Sequence, residues 1–255
     1  MTTVSPLSDS EKQWLKHFER KLGELHGGNS YSTAFLDPRQ LELAEALLAK
    51  TPGFAYSVYG GYPEAERSAL AVYPAQQNGI LPPVAAVMVE WGSEDSEISH
   101  RDLLGAVLAL GLRRDQIGDI IMLQEGGAAM MVADSKAEYV CVNLLQVGRM
   151  PVNCAATDPD QLPTAKDDGR EIKGTVASLR ADAVLSLGFG ISRSRVVLLV
   201  KGGVVKVNFR PISSPSQQLK EGDQLSLKGR GRLLISEVEG ETRKGRIRLK
   251  LKKYS

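Results

Sequence analysis

Between residues 84 and 155 glycine stands at almost every point where an apolar period stops, and this punctuation limits the fold more than any other feature of the chain. Residues 84–91 form a short apolar run of strand length. Ser99 can cap a helix through Leu110, with Gly111 as its stop. Gly118 precedes a strand over 119–124, and Gly126-Gly127 turns the chain into another over 128–133. Asp134 or Ser135 can cap a helix over 136–147, Gly148 stops it, and 151–155 reads as a last strand. The order is β-α-β-β-α-β. With right-handed crossovers it predicts a ferredoxin-like, four-stranded antiparallel sheet carrying two helices on one face. The fold class is therefore α+β, with a middle domain over residues 76–157.

The flanks divide as clearly. Over residues 1–75 an N-terminal α/β region is expected. Ser10 can cap a helix carrying Trp14, Leu15, Phe18, Leu22 and Leu25 at helical spacing, which Gly27 and Gly28 end. Asp37-Pro38 starts a second helix with the stripe Leu41, Ala44, Leu47 and Leu48, stopped at Thr51-Pro52-Gly53. Two strand-like runs follow, Phe54–Tyr59 and 68–73, parted by Gly60-Gly61 and a polar stretch. Residues 158–169, polar and proline-containing, read as a linker, and a third unit fills 170–255.

Charge separates the same segments. Residues 166–255 hold 20 Lys and Arg against 9 Asp and Glu, a balance of +11, whereas residues 1–165 hold 12 against 21, a balance of −9. The C-terminal part is drawn to polyanions and the remainder is repelled by them. No apolar run reaches the ~20 residues that span a bilayer, so no membrane is expected. The first dozen residues have neither the basic start nor the apolar core of a secretory signal. Cys141 and Cys154 form no CxxC pair or His/Cys cluster, so no disulfide framework, metal or cofactor is expected, and a cytoplasmic location fits.

The basic third unit carries the most specific pattern. Leu179-Arg180-Ala181-Asp182 starts a short helix, and Gly190-Ile191-Ser192-Arg193-Ser194-Arg195 opens a second with Ser192 as cap. A strand follows through Val205-Lys206-Val207-Asn208, and Lys220-Glu221-Gly222-Asp223 makes a tight turn into another. In order and spacing these pieces resemble the S4 RNA-binding domain (the αL type). The resemblance implies RNA contacts from Arg180, Arg193, Ser194, Arg195, Lys201, Lys206 and Asn208. It leaves Asp182 to pair with a nearby arginine. Arg210 would extend the basic surface with Lys201 and Lys206 along the helix end and strand. The physical chemistry agrees. The start of a helix already favours phosphate, and arginine forks bind phosphate in bidentate fashion and stack on unpaired bases. Ala181 departs from the domain's usual larger apolar residue. Phe209 stands where a glycine usually follows the asparagine, either packed on the surface, the preferred reading, or offered as a stacking face. Further on, residues 246–252 alternate basic and apolar, the strand period. That run is either an RNA contact or a solvated edge strand guarded by lysines.

The wider chain resembles the YlmH family, through Phe35-Leu36-Asp37-Pro38-Arg39, Gly60-Gly61-Tyr62 with Ala65-Glu66-Arg67, and Ser99-His100-Arg101-Asp102-Leu103-Leu104-Gly105 with Ile117-Gly118-Asp119-Ile120. Within that family the chain resembles the cyanobacterial and plastid branch. The family implies an RRM-like middle domain and a ribosome-associated role, on the large subunit in rescue of stalled nascent chains, touching rRNA and tRNA. RRM-type sheets bind RNA through aromatics on central strands, and here only Trp91 is offered, at an end. The acidic middle domain is therefore not expected to bind in that mode. Protein contact or spacing fits as well.

Catalytic motifs were weighed against this. His100-Arg101-Asp102-Leu103 lacks the asparagine of a kinase loop, with Val107 in its place, and no Walker loop or GxSxG elbow is present. The reading is a non-enzymatic protein that binds structured RNA. The alternative is an RNA-modifying enzyme with catalytic residues in the first two units, around His100, Arg101 and Asp102. The preferred reading of that triplet is the capped first turn of a helix.

Overall fold

The computed structural model describes residues 7–25, 29–63, 65–77, 79–92, 98–123, 126–162 and 169–254. Gly27, Gly28, Gln124 and residues 163–168 of the expected linker lie outside the described residues.

Helix α1 (Asp9–Gly23) starts two residues before the position that the sequence suggested. Ser8, not Ser10, is the cap, because Glu11 stands at the third helical position and returns the bond: its carboxylate accepts from the Ser8 N–H at 2.7 Å. After the short strand β1 (Tyr31–Ser32), helix α2 (Pro38–Leu48) begins as expected, with Asp37 accepting from Gln40 N–H at 2.8 Å and proline in the first turn. Strands β2 (Phe54–Tyr59) and β3 (Ala69–Pro74) complete an antiparallel sheet of order β1-β3-β2. Phe18, Leu22, Ala44, Leu48, Leu70 and Val72 bury between this sheet and the two helices.

The glycine-punctuated segment folds as β4 (Val84–Glu90), α3 (His100–Ala109), β5 (Ile117–Met122), β6 (Ala128–Ala133), α4 (Asp134–Asn143), a small hairpin of β7 (Gln146–Val147) and β8 (Met150–Pro151), and β9 (Asn153–Thr157). The sheet order β5-β6-β4-β9, all antiparallel, is the split arrangement predicted from the element order. One detail differs. Helix α4 ends at Asn143, and Gly148, at φ 60°, turns the β7–β8 hairpin instead of stopping the helix. Leaving the helix early lets Leu144 and Val147 join the core beneath α3 and α4.

The N-terminal region packs on the middle domain within one compact unit. The face of the middle sheet away from its helices carries Ala86, Ala129 and Met131, and Phe35 from the N-terminal region closes over them at 2% exposed. Gly118 permits this: a Cβ there would stand 2.6 Å from the Phe35 ring and 2.8 Å from the Met131 Cβ. A polar seam runs beside the contact. The Asp119 carboxylate accepts from the Tyr62 hydroxyl at 2.8 Å and from the Glu66 N–H at 2.6 Å, while the Arg67 guanidinium donates to the Phe35 carbonyl at 2.9 Å. Residues up to 166 therefore form one compact unit and residues from 167 a second.

The second unit comprises β10 (Arg170–Val176), α5 (Ala181–Phe189), α6 (Arg193–Lys201), β11 (Val205–Val207), β12 (Arg210–Pro211), β13 (Gln224–Leu227), β14 (Gly231–Glu241) and β15 (Ile247–Tyr254). These strands make one sheet of order β10-β15-β14-β13-β11-β12. The two helices cover one face, where Val184, Leu185, Val196 and Val200 pack on Val205, Leu225, Leu233, Ile235, Leu249 and Leu251. Strand β15 pairs on both sides, with β10 and β14. The edge-strand reading of the basic C-terminal run is thus corrected: its backbone is satisfied, and its lysines guard no free edge.

Candidate nucleic-acid interface

Helix α5 begins immediately after Arg180 and ends at Gly190, whose left-handed conformation (φ 63°) reverses the chain. Two residues later the Ser192 hydroxyl accepts from the Arg195 N–H at 3.3 Å and starts α6, whose axis is bent 114° from α5. This sharp corner brings the first turn of α6 against the first turn of α5. Asp182, 4% exposed, lies between them and is shared by two arginines. Arg180 donates through Nε at 3.1 Å, and Arg193 donates through Nη2 at 2.6 Å and Nε at 3.2 Å. Burial pushes the Asp182 carboxyl up, but the hydrogen bonds and charges of the two guanidiniums outweigh it and hold the group below the usual carboxylate range. Two positive groups thus share one negative partner, and the site keeps a net positive charge. The two arginine side chains remain substantially exposed, at 38% and 52%.

The other expected residues divide. Ser194, Leu198 and Lys201 recur at helical spacing on the outward side of α6, with exposed Arg195 at their flank. Leu198 is 60% exposed among these polar groups, an apolar contact that sequence reading missed because its period suits a core position equally well. Arg210 pairs across the hairpin with inward-facing Val207, so it leaves the sheet on the helix side. Lys206 does not. Its neighbours Val205 and Val207 are buried under the helices, so Lys206 projects from the opposite face. The single basic surface expected from Lys201 through Lys206 to Arg210 is corrected accordingly, because alternation along β11 parts Lys206 from the rest.

Asn208 serves the hairpin. Its amide donates to Asp223 Oδ1 at 2.9 Å, and its carbonyl accepts from the Gln224 N–H at 2.9 Å. Asp223, 6% exposed, also accepts from the Lys220 N–H at 2.9 Å, so the Lys220–Asp223 turn and the Asn208 turn are tied into one unit. Asn208 and Phe209 both have positive φ, 47° and 65°, in a two-residue turn between β11 and β12. A type I′ turn needs this and ordinarily has glycine second. Phe209 adopts the geometry at a steric cost, with its ring partly buried.

The His100-Arg101-Asp102 triplet has a structural account. Ser99 caps α3, and the Asp102 carboxylate accepts from the Ser99 N–H at 3.1 Å and its hydroxyl at 2.6 Å. Arg101 and Asp102 also line an open groove of about 560 Å³ with Gly148 and Arg149 of the β7–β8 hairpin.

Comparison with known proteins follows this division of the chain. Residues 83–161 match a family model described as the putative RNA-binding domain in YlmH, and residues 179–225 match the S4 domain. The chain is similar to the ribosome-associated protein quality control protein P2 of Bacillus subtilis (strain 168), 34% identical over 223 residues, 85% of this chain and 84% of that protein. Among solved structures it is similar to the cell division protein ylmH from Streptococcus pneumoniae, with a TM-score of 0.50 and 22% identity, covering 63% of this chain and 99% of that one. Joined to an S4 domain built around the Asp182-held arginines, a 34% identity across most of both chains means that this protein belongs to the YlmH family.

Proposed function

We propose that the protein is a non-enzymatic RNA-binding factor that docks on ribosomal RNA or tRNA at the large ribosomal subunit, in the rescue of stalled nascent chains. The observation that carries this reading is the Asp182-held arginine pair at the starts of α5 and α6. Asp182 fixes the side chains before RNA arrives, so less conformational freedom is lost on binding. Their outward N–H groups, with Arg195 and Lys201, face solvent as phosphate donors. Such a surface reads backbone shape more than base sequence. The name of the Bacillus subtilis relative, a ribosome-associated quality control protein, supports the choice of ribosome and process.

The test is cosedimentation with ribosomal subunits at graded salt. Wild type sediments with the large subunit, and the association falls as salt rises. The Arg193→Ala/Arg195→Ala/Lys201→Ala variant loses it, each charged contact being worth ~1.5–3 kcal/mol. Salt-independent sedimentation, or sedimentation equal in the variant, would sink the reading.

A further inference from the structure

The C-terminal sheet has a second face, and its chemistry is not explained by the helix side. Strand register sets Lys206, Ser226, Arg232 and Tyr254 side by side on four strands: Lys206 opposite Ser226, Ser226 opposite Arg232, and Arg232 opposite Tyr254. Lys206, Ser226 and Arg232 alternate with buried residues of the helix-covered core, and Tyr254 pairs with Arg232, so the four project from the other face. The Arg232 guanidinium lies over the Tyr254 ring, 5.4 Å from its centroid. The next row runs Gln224, Leu234, Lys252 and Glu171. On the same face Lys250 is bound to Glu237 at 2.7 Å and Glu239 at 2.9 Å, and Lys173 to Glu171 at 3.1 Å. The face thus carries ion pairs toward one end and, toward the other, a row of basic residues with arginine over an aromatic ring. β15 is internal, so defence of an edge does not account for its basic residues. Strands β10, β14 and β15 lie outside the matched S4 segment, and no role is assigned to them by it.

We propose that this face is a second RNA surface, which takes an unpaired nucleotide on the Arg232–Tyr254 pair and the adjoining phosphates on Lys206 and Lys252. A sheet face with a cationic row and an aromatic platform is the arrangement by which single strands are held: bases stack on the ring, and the charges follow the backbone. Arginine over tyrosine extends the platform, since a guanidinium plane stacks on bases as a ring does. The row covers three strand spacings, about 14 Å, the scale of a few nucleotides. The inference rests on the chain being an RNA binder, but not on the helix side being its docking surface. The two surfaces take different RNA: the helix side a structured backbone, the sheet face an unpaired strand.

The experiment measures fluorescence anisotropy of the full chain with two probes, an oligouridylate of about ten nucleotides and a stable RNA hairpin. Tyr254→Ala weakens oligouridylate binding about ten-fold and leaves the hairpin unchanged, whereas Tyr254→Phe, which keeps the ring, binds as wild type. Lys206→Ala/Lys252→Ala flattens the salt dependence by about 1.4 in log–log slope, two phosphates' worth on a single strand. Arg193→Ala/Arg195→Ala shows the converse pattern, losing the hairpin and keeping the oligouridylate. Unchanged oligouridylate binding in Tyr254→Ala, or equal loss in Tyr254→Ala and Tyr254→Phe, would overturn the second surface while leaving the helix-side reading intact. Failure of wild type to bind either probe would overturn both. Capture of phosphatidylglycerol vesicles through Lys206 and Lys252, without oligouridylate binding, would also overturn it and assign the face to an anionic membrane surface.

Discussion

The two larger sheets of this protein share a plan and differ on one face. Each is antiparallel and carries two helices on one side, over a core of alternating inward residues. On the other side the middle sheet shows Ala86, Ala129 and Met131, and Phe35 covers them. The C-terminal sheet shows Lys206, Arg232 and Lys252 there. A sheet can leave one face to water only if that face is polar. The middle sheet had to recruit a lid, which makes the N-terminal region part of its fold and occupies the face that an RRM-type sheet would use for RNA. The C-terminal sheet carries polar and charged residues there, which water tolerates without a lid from its own fold.

The largest effect that would break this comparison is loss of the lid. Phe35→Ala should destabilise the first unit by about 3–5 kcal/mol, through lost burial and the cavity left over Met131. Denaturant unfolding followed by Trp14 and Trp91 fluorescence checks it, and an unchanged midpoint would mean that the N-terminal region is not part of that core. Gly118→Ala attacks the same contact from beneath. Its new Cβ must displace the Phe35 ring or the sheet, at a cost of about 1–3 kcal/mol, read in the same transition.

Asp182→Asn sharpens the other half. Replacing the shared carboxylate should cost about 2 kcal/mol in the second unit, because the charged hydrogen bonds from Arg180 and Arg193 are lost. The carboxyl is held below its ordinary value in the folded state. Its contribution is therefore fully present above the unfolded value, about pH 4, and lost as pH falls through the lower folded value. Unfolding measured on both proteins from neutral pH downward should show their stabilities converging in acid. A constant gap would remove Asp182 as the acid-sensitive group.

The smallest expected effect is at the β11–β12 turn. Phe209→Gly relieves a bulky residue held at φ 65° and should raise stability by about 0.5 kcal/mol. A fall in the thermal midpoint instead would show that the packing of the ring outweighs the strain.

Much of this was legible in the chain. Helix α2 was announced by Asp37-Pro38, α3 by Ser99, α6 by Ser192, and the split β-α-β-β-α-β order by glycines, since caps and stops act within a few residues. The basic C-terminal segment and the arginines around Asp182 were legible for the same local reason. Gly148 misled because a left-handed glycine serves a helix end and a hairpin turn equally, and only the burial of Leu144 and Val147 decided between them. Strand β10 went unread because Arg170, Glu171 and Lys173 mask its period until it pairs with β15.

Most helices and strands, the sign of charge on each part and the family were legible from the sequence, because each depends on residues near one another in the chain. The tertiary structure decided what lies far apart: that Phe35 closes the middle sheet, that one aspartate holds arginines from two helices, and that Lys206, Arg232 and Tyr254 share a face. Pairing register and burial across tens of residues leave no local mark, since the free energy that fixes them comes from contacts made only once the chain has closed on itself.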